Sequence, residues 1–161
     1  MDVVHDLNFT PWPFADNSFD EVVAIHLVEH LKDLLQFMDE CWRVLRPGGA
    51  LYIVTPEAGA DLDLTHADPT HVRCYRRHTW INYFTRSEAP KFGYTDKYWA
   101  IWDGQVREGC IHLHMMPLKK EHIEKQAVDF MAALKELESA AAELRAVPVD
   151  PAEPPVFGHE C

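Results

Sequence analysis

Apolar and polar positions change period several times along the chain, and each change predicts an element. Asp2 to His5 is a short β-branched run that predicts a strand, closed by Thr10-Pro11-Trp12-Pro13, where proline removes donors and restricts its neighbours. Turn formers from Phe14 to Asp20 lead into Glu21-Val22-Val23-Ala24-Ile25, an apolar run without alternation that predicts a strand buried on both faces. From Glu29 to Leu45 the apolar residues Leu31, Leu34, Leu35, Met38, Trp42 and Leu45 recur mostly at spacings of three and four, the pattern of an amphipathic helix. Pro47-Gly48-Gly49 is expected to stop it, because proline cannot continue the ladder and glycine accepts a left-handed backbone. Ala50 to Val54 then reads as a second buried strand. Strand, helix and strand in that order predict a parallel βαβ unit, expected at the centre of an α/β sheet.

Beyond Thr55-Pro56 the chain turns polar and histidine-rich, with Asp61, Asp63, His66, Asp68, His71, Arg73, Arg76, Arg77 and His78 ahead of Trp80, Tyr83 and Phe84. This predicts a loop ending in a short helix. Tyr98 to Val106 and Cys110 to Met116 flank Arg107-Glu108-Gly109 as an antiparallel hairpin. Lys119 to Arg145 reads as a long helix whose residues Ile123, Ala127, Phe130, Leu134, Leu137, Ala141 and Leu144 are spaced alternately four and three, suited to packing on a domain or to a coiled coil. The proline-rich stretch 147–161 reads as a flexible tail. The expected organisation is an α/β domain over 1–118, the long helix over 119–146 and the tail.

Composition narrows the function classes. With 161 residues and 47% apolar content the chain suits one globular domain, and disorder of the body of the chain is not expected. A net charge of −11 argues against nucleic-acid binding. No apolar run has the length of a membrane span, and the N-terminus lacks the pattern of a signal peptide, so a cytoplasmic protein with no membrane partner is expected. The four cysteines are far apart and read as free thiols.

Several motifs occur together and in order: Val4-His5-Asp6-Leu7, Pro11-Trp12-Pro13-Phe14, Asp16-Asn17-Ser18-Phe19-Asp20, Glu29-His30-Leu31, Glu40, Arg43-Val44-Leu45-Arg46-Pro47-Gly48-Gly49 and Leu51-Tyr52-Ile53. From about Met1 to Pro56 the chain thereby resembles the class I S-adenosylmethionine-dependent methyltransferases, in their small methyltransferase-domain branch. The resemblance implies an α/β fold: a truncated Rossmann-like sheet, mostly parallel, with the C-terminal antiparallel hairpin and long helix added. S-adenosylmethionine would lie across the C-terminal ends of the strands. By the same resemblance the Asp6 carboxylate accepts from the adenine amine, the Leu7 amide donates to a ring nitrogen, and His26, Leu27 and His30 face the cofactor.

The chain also departs from the family pattern. No glycine precedes Gly48, so the family's Gly-rich turn and ribose-binding acid have no counterpart, and the first element matches the family's third strand. Weak or absent cofactor binding by this chain alone is therefore expected, together with an unpaired edge beside Glu21 to Ile25.

Methyl transfer needs mainly positioning, with a general base only for a protonated acceptor. His71 is the candidate base. No metal is expected, although His66-x-Asp68-x-x-His71 and His112-x-His114 carry suitable ligand types. The Arg73, Arg76, Arg77 and His78 cluster suits either an anionic acceptor or a solvated helix start. Expected partners are a small-molecule or protein methyl acceptor and further copies of the chain. The alternative is an inactive remnant of the fold serving as a binding or oligomerisation module.

Overall fold

The computed structural model of the chain describes residues 2–59 and 65–146, with side chains through 139. Contacts divide it into two units, Met1–Ile123 and Glu124–Cys161. The first holds a four-stranded sheet of order β1-β2-β4-β3, built from β1 (Phe19–Ile25), β2 (Leu45–Pro56), β3 (Trp99–Arg107) and β4 (Cys110–Pro117). Beside two short 3-10 turns, the described residues form three α-helices, α1 (Leu34–Val44), α2 (Arg77–Phe84) and α3 (Lys120–Ala146), and α3 from Glu124 onward is the described part of the second unit. The tail expected over 147–161 lies outside the described residues.

The βαβ prediction holds. β1 pairs parallel with β2, Val22 opposite Leu51 and Ala24 opposite Ile53, with α1 between them in sequence. β4 pairs antiparallel with both β2 and β3, and the hairpin turns through Glu108 and Gly109, both at positive φ. The mostly parallel sheet expected from the resemblance is represented by that one parallel pair beside two antiparallel pairings. Pairs such as Ile53 with Leu113 and Leu51 with Met115 fill the centre of the core, alongside Phe37, Met38, Trp80, Phe84 and Trp99.

Four expectations need correction. Asp2 to His5 is not a strand: no described strand lies alongside to satisfy its backbone groups. Among the described residues β1 has the unpaired edge expected beside Glu21 to Ile25, and of the βαβ unit β2 alone lies inside the sheet. β1 is also covered on one face only, with Ala24 buried while Val23 and Ile25 are 53% and 56% exposed. The helix begins at Leu34 rather than Glu29. Val28–His30 instead forms a 3-10 turn, and the Asp33 carboxylate caps α1 by accepting from the Gln36 amide at 3.1 Å.

The fourth concerns the helix stop. α1 ends at Val44, before Pro47-Gly48-Gly49, which instead bulges β2 between the Phe19–Leu45 and Glu21–Ala50 pairs. The helix's last carbonyls are met by tertiary donors: Asn17 N–H donates to Arg43 at 2.9 Å, Ser18 N–H to Val44 at 2.8 Å, and the buried Lys119 ammonium to Leu45.

Candidate active site

The loop leaving β1 turns sharply, with His26 at φ +48, and the next residues curl into the 3-10 turn. That curl carries Glu29 inward at the C-terminal ends of β1 and β2, leaving it 1% exposed. One carboxylate oxygen, Oε2, accepts from the Thr55 hydroxyl at 3.0 Å. The other, Oε1, faces His26 Nδ1 at 3.3 Å and His71 Nε2 at 4.0 Å. No lysine or arginine lies within ion-pair distance of Glu29 among the described residues.

The polar loop is pinned onto this acid. The Glu29 carbonyl accepts from Val72 N–H at 2.9 Å and Arg73 N–H at 3.2 Å, which draws His71 over the curl. His71 Nδ1 lies 3.0 Å from the Thr65 carbonyl, and His30 Nδ1 lies 3.2 Å from the Thr70 carbonyl. A carbonyl only accepts, so each imidazole carries a proton on Nδ1, and Nε2 is the nitrogen that holds the lone pair in a neutral ring. The two rings meet edge to face at 4.8 Å between centroids. Asp68 stands beside them, its carboxyl held below the usual range first by the Thr70 hydroxyl, then by the Thr70 amide.

The expected cofactor residues fall into three places. His26 and His30 join the Glu29 cluster with His71. Leu7 and Leu27 border an apolar groove of about 260 Å³ beside β1, lined also by Trp12, Phe14, Phe19 and Val22. Asp6 joins neither: its Oδ1 accepts from both the Asn8 amide and the Asn8 side chain at 3.0 Å, in an exposed turn. That local turn holds the Asp6 carboxyl below its ordinary range, the Asn8 amide being the largest cause.

The apolar groove suits the flat face of an adenine ring, so the residues present fit one end of S-adenosylmethionine. Among the described residues bordering that groove, Glu21 alone is charged, and no glycine borders it. The ribose and methionine ends therefore find no evident holder there.

The two histidine-rich motifs separate in space. His66 turns away to Thr65 Oγ1 at 2.8 Å, leaving His71 to pair with Glu29 and His30 instead. His112 contacts the Tyr52 hydroxyl at 2.8 Å and His114 stacks on the Tyr52 ring at 4.4 Å, so both are engaged on the sheet face. The basic cluster also disperses: Arg73 donates to the Lys32 carbonyl at 2.8 Å, while the Arg77 amide donates to the Glu57 carboxylate at 2.9 Å. Of that cluster, Arg73 borders a second pocket of about 280 Å³ with Tyr75, Tyr83 and Tyr94. Burial pushes the Tyr75 hydroxyl up to about 12.

Sequence reasoning passed over Glu29 and Thr55 as site residues. The available signal was a single acid inside the apolar stretch Leu27-Val28-Glu29-His30-Leu31, which a 3-10 turn directs into the core.

Residues 3–53 match the family described as methyltransferase domain. The likeness of that segment is to S-adenosylmethionine-dependent methyltransferases. Among relatives of this methyltransferase segment, a protein of Mycolicibacterium smegmatis named a probable S-adenosylmethionine-dependent methyltransferase is 41% identical over 78 residues, covering 45% of this chain and 29% of that protein. Demethylmenaquinone methyltransferase of Chlorobaculum parvum is 52% identical over 44 residues, covering 27% of this chain and 18% of that enzyme. The chain thus spans under a third of the length of these relatives. A methyltransferase solved in complex with the Trm112 methyltransferase activator of Haloferax volcanii shares the fold, with a TM-score of 0.51 at 13% identity over 71% of this chain and 60% of that one. Among the described residues, no helix is long and apolar enough to cross a membrane.

Proposed function

We propose that this methyltransferase-like chain serves S-adenosylmethionine-dependent methyl transfer to a small-molecule or protein acceptor, supplying the adenine end of the cofactor site and the acceptor side. The observation that carries the reading is the convergence of His26, Glu29, His30 and His71 at the C-terminal ends of β1 and β2, the crevice where open α/β sheets bind ligands. When bound, S-adenosylmethionine supplies an activated methyl group on a sulfonium. Leu7 and Leu27 would flank its adenine in the apolar groove, and His26 and His30 would border its far side. His71, held by the Thr65 carbonyl and backed by Glu29, is the residue to take a proton from an acceptor, because a buried carboxylate steadies an imidazolium. The cytoplasm and a homo-oligomeric state belong to the same proposal.

Affinity for the cofactor is expected to be low. Each missing hydrogen bond to a polar ligand group is worth about 0.5–1.5 kcal/mol, so several together lower affinity by roughly a thousandfold. Calorimetry of the chain with S-adenosylmethionine and its demethylated product tests this. Saturable binding weaker than micromolar, lost in Leu27→Asp, supports the reading; micromolar binding refutes the incomplete site. The Asp6–Asn8 turn, which occupies the expected adenine acceptor, favours a second reading in which the fold is an inactive binding or oligomerisation module. Absence of any saturable cofactor binding would select that reading.

A further inference from the structure

We propose that Glu29, His30 and His71 form a binding site for a divalent cation of the zinc class, at the C-terminal ends of β1 and β2. Ligand atoms of these three residues all lie within 4.8 Å of one another, drawn from two segments about forty positions apart and joined by the Glu29 carbonyl bonds. Ligand distances near 2.1 Å set neighbouring donors roughly 3.0–3.5 Å apart, so loading contracts the cluster slightly, within the reach of imidazole rotation.

Two independent features point to a cation rather than to chance proximity. The first is the acid itself. Glu29 is 1% exposed, has no lysine or arginine partner among the described residues, and meets only two side-chain hydrogen-bonding groups there, the Thr55 hydroxyl at Oε2 and, at 3.3 Å, His26 Nδ1 at Oε1, which keeps a second lone pair. A carboxylate removed from water is stable when a cation or several donors offset its charge, and a metal ion meets that need at Oε1. The second is the orientation of the rings. Both imidazoles spend Nδ1–H on a backbone carbonyl, Thr70 for His30 and Thr65 for His71. Such outer bonds are what fix the tautomer of a metal-ligating histidine and leave Nε2 to coordinate. The Asp68 carboxylate beside them adds negative charge without being a ligand.

The donor set selects the ion. Two imidazoles and one carboxylate suit Zn²⁺ or a neighbouring transition metal, with at least one position open for water or an acceptor oxygen, whereas Mg²⁺ prefers an all-oxygen shell. A cation on His71 Nε2 occupies the atom that would otherwise take an acceptor proton, so in the loaded protein His71 is a ligand and not a base. Metal binding itself does not depend on the methyl-transfer reading.

Zn²⁺ titrated into the chelator-stripped full chain, without cofactor, tests the site by calorimetry and by thermal unfolding. The expected result is one tight ion per chain, a raised Tm, and affinity lowered at least tenfold in His30→Ala, His71→Ala and Glu29→Gln. The double variant His112→Asn, His114→Asn should bind as the parent does, and Co²⁺ should give visible bands that vanish in His71→Ala. Since Glu29 is buried, His30→Ala and His71→Ala decide the matter if Glu29→Gln fails to fold. Zinc affinity unchanged in both histidine variants, or lost equally in the sheet-face control, overturns the proposal, as does a preference for Mg²⁺. Zinc binding without cofactor binding leaves this site standing and sinks the methyl-transfer reading; the reverse outcome sinks this one alone.

Discussion

Arg43 makes more tertiary polar contacts than most residues of the first unit. Its guanidinium donates to both Glu40 oxygens, to the Asp16 carboxylate and to the carbonyls of Trp12 and Phe14, while Glu40 also accepts from Trp12 N–H at 2.6 Å. These bonds stitch the loop before β1 onto α1. Arg43→Met should lower unfolding free energy by about 3–5 kcal/mol, because it leaves the buried Glu40 carboxylate uncompensated, and urea denaturation at neutral pH measures it. The Arg43 side chain, first among the causes, holds the Glu40 carboxyl below its ordinary 4.5. A depressed folded pKa gives stability that is complete above that ordinary value and is lost as pH falls through the folded one. The parent's urea midpoint should therefore fall from pH 6 to pH 3 by more than that of Glu40→Gln, and equal falls would remove Glu40 from the acid response. Glu40 and Arg43 were legible in the sequence as motif members, but nothing local announced that their partners would be Trp12 and Asp16.

At the scale of elements, ends are decided by caps and by tertiary donors. Asp33→Ala should cost about 1 kcal/mol by removing the α1 cap, read as a lowered thermal midpoint. The signal for that start, Asp33 three residues before Gln36, was present in the sequence, yet the apolar spacing from Leu31 pulled the expected boundary earlier. Leu31 and Lys32 are diverted because Lys32 N–H donates to Asn8 at 3.0 Å and its carbonyl accepts from Arg73. Gly48 holds φ +81 in the β2 bulge, where an added Cβ would sit 3.1 Å from the His122 ring. Gly48→Ala should destabilise by about 1–2 kcal/mol from the left-handed backbone alone, and calorimetric unfolding checks it. The Pro-Gly-Gly signal was correctly read as a break, but whether a break ends a helix or bulges a strand depends on what lies opposite.

For the molecule as a whole, the open edge and half-covered face of β1 carry the main consequence. Val23 and Ile25 lie exposed there, with no lysine or proline within the strand to discourage pairing. A second copy covering that strand, aided by the heptad positions from Ile123 to Leu144, should give a light-scattering mass at least twice 18.6 kDa at micromolar concentration. Leu134→Asp should reduce it, and a clean monomer in the parent would defeat self-association. The sequence by itself determined the parallel βαβ unit, the hairpin, the long helix and the methyltransferase resemblance, since each rests on periodicity or on motifs within one contiguous stretch. It also named His26, His30 and His71. Only the tertiary structure decided that Asp2 to His5 is no strand, that β1 is covered on one face only, and that His71 leaves His66 to join Glu29. Those outcomes depend on which backbone groups find partners across long sequence separations, and a local pattern carries no information about a donor forty residues away.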